Sequence, residues 1–241
     1  MSDLLDMVLD AHGGLENWKS VNGVDLRLSL SGFLFEIKRH PNGLKGALVK
    51  VDAKQPRTVI APFPDLGKRG IYQDGKAWIQ TDFGQIVEEL PEPRTAYQGH
   101  ERHTPWNDLQ MLYFIGYAFW NYFTMPFFLT FDGVTTRELD KWEENGQTWR
   151  VLEATFDPSI DVHCAVQRFY FDDKGMLVRN DYFTDVAKGQ VAHYTTDHKN
   201  FDGFFFPTRR RVVARRDDNV TMTGGPSSVL LDIDTVIVNR D

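Results

Sequence analysis

Side chains that could act as acids or bases are spread over residues 103–198. His193 and Asp197 lie four residues apart on a predicted strand. That spacing is about 13 Å on a regular strand, which excludes a direct contact between them. Asp197 and His198 are adjacent and would point to opposite faces. If the protein were an enzyme, acid–base catalysis would use the following candidates: His103, His163, His193, Asp197 and His198.

Patterns typical of metal sites and other catalytic classes are weak or missing. His100 and His103 have a His-x-x-His spacing, but zinc needs three or four converging ligands. The sequence has no Gly-x-Ser-x-Gly, no phosphate loop and no dinucleotide-binding glycine pattern. Cys164, the single cysteine, is expected to be a small buried hydrophobic residue. The sequence therefore predicts no metal and no cofactor.

Residues 208–216 form the one basic concentration of the chain. On a strand, Arg209 and Arg211 share one face and Arg210 takes the other. One interpretation is an edge strand that charge protects from pairing with another chain. A second is that an inward arginine pairs with the acidic head group of an amphiphile, a role that we assign to Arg209 and Arg211. A contact with nucleic acid is the third.

Aromatic residues are concentrated in residues 106–129, the longest segment without regular polar alternation. Tyr113, Tyr117 and Trp120 share one face of a helix at positions i, i+4 and i+7, and Asn121 adds a further polar tip. This surface is either plain core or the wall of a ligand cavity, because ligand pockets combine apolar walls with a few polar groups. The predicted ligand-binding residues are Tyr113, Tyr117, Trp120, Asn121, Arg209 and Arg211.

This segment predicts a long central helix, with an N-cap at Thr104, a first-turn proline at Pro105, and an end or kink at Pro126. Polar residues interrupt the apolar run and no basic cluster flanks it, so stable membrane insertion is not expected. A helix that is apolar on nearly every side must be buried on nearly every side.

The rest of the chain predicts short strands at intervals of roughly 8–12 residues, which is typical of an all-β sandwich or barrel. The predicted strands are residues 24–31, 33–38, 48–51, 58–60, 70–73, 76–80, 86–90, 134–142, 148–156, 165–171, 176–183, 190–196, 204–214 and 229–238. Residues 4–9 have helical spacing. We predict one mainly β domain over residues 1–241. Its architecture is a large curved antiparallel sheet, or half-open barrel, of about eleven or more strands. The sheet wraps around the long hydrophobic helix, and a short helix precedes it.

Composition restricts the partners and the compartment. The net charge of -7 argues against nucleic acid, which binds basic surfaces. A single cysteine excludes an internal disulfide, and residues 1–6 lack the basic and apolar pattern of a signal peptide. We therefore expect a cytoplasmic protein, and the sequence leaves its oligomeric state open.

Two short motifs resemble the lipoprotein-carrier superfamily typified by the Lol system. Residues 11–18, Ala-His-Gly-Gly-Leu-Glu-Asn-Trp, are similar to its N-terminal Ala-x-Gly-Gly-x-x-x-Trp helix. Residues 201–207, Phe-Asp-Gly-Phe-Phe-Phe-Pro, are similar to its late Gly-x-x-(x)-Phe-Pro strand entry, in which the third variable position is optional. Members of that superfamily are half-open antiparallel barrels with helices in the opening. The resemblance implies this fold and a cavity that accepts acyl or other apolar groups.

Three classes of function follow. We favour a protein that binds a hydrophobic or amphiphilic, lipid-like small molecule between the curved sheet and the central helix. The first alternative is an isomerase, cyclase or hydrolase that uses the histidines and Asp197 in the same cavity. The second is a structural or interaction domain in which the central helix is simply core.

Overall fold

Alternating apolar and polar residues produce most of the regular structure. The computed structural model describes residues 3–240. The helices in this range are α1 (Asp3–Ala11), α2 (Leu15–Trp18), α3 (Phe33–Ile37) and α4 (Asp108–Thr124), with 3₁₀ turns at Pro93–Tyr97 and Phe127–Thr130. The strands are β1 (Val21–Ser31), β2 (Leu44–Asp52), β3 (Arg57–Ala61), β4 (Lys68–Gln73), β5 (Lys76–Thr81), β6 (Ile86–Leu90), β7 (Val134–Glu144), β8 (Gln147–Phe156), β9 (Val166–Phe171), β10 (Leu177–Thr184), β11 (Gly189–Phe201), β12 (Phe204–Ala214) and β13 (Val229–Arg240).

All of these strands belong to one antiparallel sheet. Its order is β6-β5-β4-β3-β2-β1-β13-β12-β11-β10-β9-β8-β7. The pairing of β1 with β13, in which Leu26 lies opposite Val236, joins the two halves of the chain. β6 and β7 form the two edges, and no hydrogen bonds join them among the described residues, so the curved sheet stays open. The predicted half-open barrel is confirmed, with thirteen strands.

The central helix begins and ends for local reasons. Asn107 is its N-cap: the Asn107 side chain accepts a hydrogen bond from the Gln110 backbone N–H, and the Gln110 side chain accepts one from the Asn107 N–H. The predicted cap at Thr104 is therefore wrong by three residues. The helix ends at Thr124, because Pro126 disfavours a helical conformation at Met125, which is extended.

Residues 33–38, predicted as a strand, form the short helix α3 instead. Gly32 has a φ of 127°, and the N–H groups of Phe33 and Leu34 donate to the carbonyls of Ser227 and Ser228. These contacts turn the chain inward, and they bury Phe35 in the core. Alternate apolar residues in so short a segment fit a helix as well as a strand.

The curved sheet buries α4 on nearly every side. Fifteen of its seventeen residues are buried, so the helix has no solvent face of its own. It packs against β2, β3, β4 and β5 and against the turn Pro93–Tyr97. No helix among the described residues is long and apolar enough to cross a membrane.

Gly116 sets the distance between α4 and the sheet. A Cβ atom at this position would lie 2.4 Å from the Cβ of Tyr72 on β4, far inside van der Waals contact. The hydroxyl of Thr58 on β3 also donates to the Gly116 carbonyl, at 2.9 Å. The missing side chain therefore lets the helix backbone approach both strands.

We expect Gly116→Ala to lower the free energy of unfolding by about 1–3 kcal/mol, because the added methyl group forces α4 away from the sheet. In an exposed helix, the same change would be stabilising by about 1 kcal/mol. Urea unfolding shows whether the substitution lowers or raises the free energy of unfolding. The control is Gly224→Ala, where a Cβ would meet nothing within 4 Å. We expect it to change stability by less than about 0.5 kcal/mol. A more stable Gly116→Ala protein would contradict the close packing described here.

Candidate functional site

A small apolar cavity lies between α4 and the C-terminal half of the sheet. Its volume is about 40 Å³, which is room for water molecules but not for an acyl chain. Arg102 is exposed and also lines the cavity, so it marks the mouth. The lining residues are Leu30, Leu34, Phe35, Arg102, Phe114, Ile115, Ala118, Phe119, Tyr122, Tyr182, Thr184, Ala187, Gly189, Val191, Val212, Ser228 and Val229.

A larger, open groove lies at the other end of β1. Val21, the first residue of β1, lines the groove, whereas Leu30, near the end of the strand, lines the cavity. The volume of the groove is about 690 Å³, within the range of ligand pockets. Trp18 and Phe131 contribute to its apolar wall, and Lys19 lies at its polar side.

Beside the cavity, buried tyrosines and histidines form a connected polar group, called here the tyrosine–histidine cluster: Tyr117, Tyr122, His163, Tyr182 and His193. The Tyr117 hydroxyl lies 3.0 Å from His163 Nδ1, and the Tyr122 hydroxyl lies 2.8 Å from His163 Nε2. The Tyr182 hydroxyl is 3.1 Å from that of Tyr122 and 3.3 Å from His193 Nδ1. Hydrogen bonds thus run continuously from α4 to β11.

Burial keeps both histidines of this cluster neutral near pH 7. Desolvation lowers the pKa of His163 to about 3, and the positive charge of Arg94 adds to the effect. Desolvation also lowers the pKa of His193 well below its usual range, with Arg210 and His163 as smaller causes. Each ring therefore carries one N–H and one acceptor nitrogen.

Of the three consecutive arginines at positions 209–211, Arg210 is the one that faces the interior. Its side chain on β12 is only 2% exposed, and its guanidinium lies over the rings of Tyr122 and Phe123 at 5.0 and 5.7 Å. Arg210 Nη2 donates to the Tyr122 carbonyl at 2.9 Å. Desolvation lowers the pKa of Arg210 to about 10. The group stays protonated near neutral pH, so a positive charge is buried here.

Arg209 and Arg211, predicted to face inward, lie on the opposite, convex face. Arg209 is exposed, and Arg211 Nη2 donates to Asp232 Oδ1 at 2.6 Å on the outside of the sheet. β12 is hydrogen-bonded to β11 on one side and β13 on the other, so the edge-strand interpretation is also wrong. The sequence predicted the alternation of the arginines, but not which face is buried.

Two of the helix residues predicted to contact a ligand are bonded to the protein itself. The Tyr113 hydroxyl donates to Asp161 Oδ1 at 2.6 Å, and Asn121 Nδ2 donates to the Asp161 carbonyl at 3.0 Å. Tyr72 and Arg94 also donate to this carboxylate. Asp161 therefore fixes this face of α4 against β4 and the turn Pro93–Tyr97.

The helix residues that line the cavity are neighbours of the predicted ones. Trp120 lies away from the cavity, and its Nε1 donates to the Asp52 carbonyl at 3.2 Å. Tyr117 does not line the cavity and is linked to it only through the other residues of the tyrosine–histidine cluster. The lining face of α4 consists of Phe114, Ile115, Ala118, Phe119 and Tyr122. The sequence feature that could have indicated this face is the small residue Ala118, which lies four residues after Phe114 and four residues before Tyr122.

The acid–base candidates do not assemble as a catalytic group. Tyr182 contacts both His163 and His193. The His163 ring stacks on the Tyr182 ring with centroids 4.2 Å apart, and the Tyr182 hydroxyl is hydrogen-bonded to His193. His103 is exposed in a loop, and the exposed Asp197 accepts from Thr208 and pairs with Lys199. His198, the remaining candidate, is not part of the tyrosine–histidine cluster, and its ring contacts that of His12.

Metal-binding and nucleophilic chemistry have little structural support in the described range. Within residues 3–240, no three His, Cys, Asp or Glu side chains come together in a way that could hold a metal ion. Cys164 is partly buried, and desolvation raises the pKa of its thiol. A raised pKa leaves little of the thiolate that a nucleophile needs.

The buried neutral histidines make stability depend on pH. The pKa of His163 is about 3 in the folded protein and about 6.5 when the chain is unfolded. Between these values the unfolded chain binds the extra proton. The free energy of unfolding should therefore fall from pH 6.5 to pH 4.5, by up to about 1.4 kcal/mol per pH unit for this residue. Urea unfolding across this range measures the slope.

His163→Gln should make that slope shallower by about 1.4 kcal/mol per pH unit. His103→Gln, at an exposed position, is the matched control and should leave the slope unchanged. The difference in slope between wild type and His163→Gln reports only the titration of His163, because the loss of its hydrogen bonds lowers stability by the same amount at every pH. An equal slope in wild type and His163→Gln would contradict the neutral state of His163.

Comparisons with known proteins concern the fold. No family model matches the chain, and no curated protein matches it either. A DUF1329 family protein from Desulfovibrio piger has a TM-score of 0.55 at 11% identity, covering 98% of this chain and 92% of its own. A LolA superfamily protein from Nitrosomonas europaea has a TM-score of 0.53 at 10% identity, covering 97% and 93%. A putative outer membrane lipoprotein-sorting protein domain from Vibrio parahaemolyticus has a TM-score of 0.55 at 10% identity, and the match covers 98% of this chain and 91% of that domain's chain. The resemblance found in the sequence is confirmed, because this chain has a LolA-like fold.

Proposed function

We propose that the protein binds a hydrophobic or amphiphilic small molecule, of the lipid class, in the cavity between the curved sheet and α4. The observation that carries the proposal is the lining of that cavity. Thirteen of its seventeen lining residues are aliphatic or aromatic, with a charged residue only at the mouth. Burial of apolar ligand surface contributes about 25 cal/mol per Å², which is the driving force such a lining provides.

The cavity must enlarge before a ligand of this class fits. Part of its wall comes from segments outside the strands: Leu34 and Phe35 of the short helix α3, Ala187 between β10 and β11, and Ser228 before β13. Connecting segments open at a lower free-energy cost than paired strands. We infer that movement of these segments, with the sheet and α4 fixed, admits the ligand.

The fold comparison supports this proposal by analogy only, since one fold hosts many functions. One structure with the same fold is described as a putative outer membrane lipoprotein-sorting protein domain. The cytoplasmic location stays a prediction, and the proposed chemistry is the same in any compartment.

The enzyme alternative has weaker support. A histidine with a pKa of about 3 is a poor general base near neutral pH, and His193 is likewise kept neutral by burial. Asp197, the one carboxylate among the acid–base candidates, lies at the protein surface. The tyrosine–histidine cluster is better suited to polar contacts with a bound molecule.

Displacement of the apolar fluorescent dye N-phenylnaphthylamine by lipids, together with native mass spectrometry of the purified protein, tests the proposal. We expect dye binding, displacement by amphiphiles, and a lipid-sized adduct. Ala118→Leu fills the cavity, so we expect it to weaken dye binding at least about tenfold, which is about 1.4 kcal/mol.

Two control variants locate the site. Ala165→Leu makes the same change at an exposed position and should bind the dye like wild type. Thr136→Trp obstructs the open groove, and it should also have no effect. Loss of binding in Thr136→Trp with full binding in Ala118→Leu would move the site to the groove. The absence of an adduct, of dye binding and of any melting-temperature shift with lipids would reject the function itself.

A further inference from the structure

Arg210 is a buried cation without an acidic partner. No ion pair among residues 3–240 includes it, whereas Arg179, also buried, has both Glu144 and Asp181. Its neighbours Tyr122 and Tyr182 provide no negative charge near neutral pH, because burial raises the pKa of both phenols. Burying an unpaired guanidinium costs several kcal/mol. A protein that keeps such a charge in its interior has a position prepared for an anion.

Two nitrogen atoms at this position are buried and have no hydrogen-bond partner. They are Arg210 Nε and His193 Nε2. His193 is opposite Val212 and Thr195 is opposite Arg210 in the pairing of β11 with β12. His193 and Arg210 are therefore diagonal neighbours on the concave face, and the positive charge of Arg210 acts on the His193 ring.

Both free nitrogens can be hydrogen-bond donors. If His193 Nδ1 accepts the hydrogen bond from the Tyr182 hydroxyl, 3.3 Å away, the neutral ring carries its proton on Nε2. Arg210 Nε always carries a proton. Two unused donors beside a positive charge match a group that only accepts hydrogen bonds and is negatively charged. A carboxylate has this chemistry.

The same position adjoins the apolar cavity. Tyr122 and Tyr182 line the cavity, and their rings also contact His193, with centroids 4.7 and 6.2 Å away. Val212, two residues from Arg210 on the same face of β12, lines the cavity as well. A molecule in the cavity therefore meets Arg210 and His193 when the Tyr122 side chain moves aside.

We propose that the ligand is a long-chain carboxylic acid whose carboxylate binds Arg210 and His193 while its apolar chain occupies the enlarged cavity. This inference rests on the proposed function, because it names the head group of the same ligand. Arg210 takes the anchoring role that the sequence suggested for Arg209 and Arg211. The guanidinium supplies charge, and neutral His193 supplies a second directional contact.

Displacement of N-phenylnaphthylamine by dodecanoic acid and by dodecanol at pH 7.5 tests the inference. We expect wild type to prefer the acid at least about tenfold, as charge-assisted hydrogen bonds predict. Arg210→Met should bind the two compounds equally, and His193→Phe should lose affinity for the acid only. Equal affinity of wild type for both compounds would overturn the inference, even if neither variant folds.

Matched arginine variants locate the anchor. Arg209→Met, on the outer face of the same strand, should keep the preference for the acid. Arg102→Met, at the mouth, should keep it too. Loss of the preference in Arg102→Met but not in Arg210→Met would place the carboxylate at the mouth and overturn the assignment. Binding of neither compound to wild type would instead reject the proposed function.

Thermal stability separates ligand binding from a structural role. In the absence of ligand, Arg210→Met removes an uncompensated buried charge and keeps an apolar side chain of similar length. We therefore expect an unchanged or higher melting temperature. Dodecanoic acid should raise the melting temperature of wild type but not that of Arg210→Met. A large fall in the melting temperature of ligand-free Arg210→Met, with the acid preference retained, would assign Arg210 to the fold alone.

Discussion

Burial of α4 on nearly every side is the constraint on which the rest of the structure depends. A helix with no polar face must be enclosed, and a sheet of few strands cannot enclose it. Thirteen strands in one open, curved sheet provide that enclosure, and the β1–β13 pairing carries it across both halves of the chain. The short distance between Gly116 and Tyr72 shows how closely the helix and sheet fit.

The same burial explains the polar groups of the interior. Tyrosine hydroxyls and the Asn121 amide on an enclosed helix cannot reach water, so the surrounding elements must supply partners. Asp161 accepts from one face of α4, and His163 bonds to Tyr117 and Tyr122 on another. These partners fix the rotation of the helix, because a turn about its axis would break both sets of contacts. Arg210 and His193 are among the exceptions, since each keeps an unused buried nitrogen, as do Arg69, His100, Trp106 and His198.

The sequence predicted what depends on local periodicity and missed what depends on the arrangement of strands. Regular alternation predicted most strands, and the long aromatic segment without such alternation predicted the central helix. On β12 both faces carry apolar residues, with Phe206 and Val212 inside and Val213 on the face of Arg209. Alternation alone therefore could not identify Arg210 as the inward arginine. The meeting of His163 with His193 depends on the order of β9, β10 and β11, which no local pattern encodes.

The small size of the cavity agrees with the proposed function, in which the protein also exists without a ligand. An empty apolar space large enough for an acyl chain would cost stability at about 24 cal/mol per Å³. Closure of the walls to about 40 Å³ avoids most of that cost. The wall segments outside the strands are the short helix α3 and two connections, whose movement leaves the strand pairs intact, whereas β12, which carries Arg210, is paired on both sides. The proposed binding of an amphiphile thus uses a fixed polar position, Arg210, together with a wall whose movement makes room for the ligand.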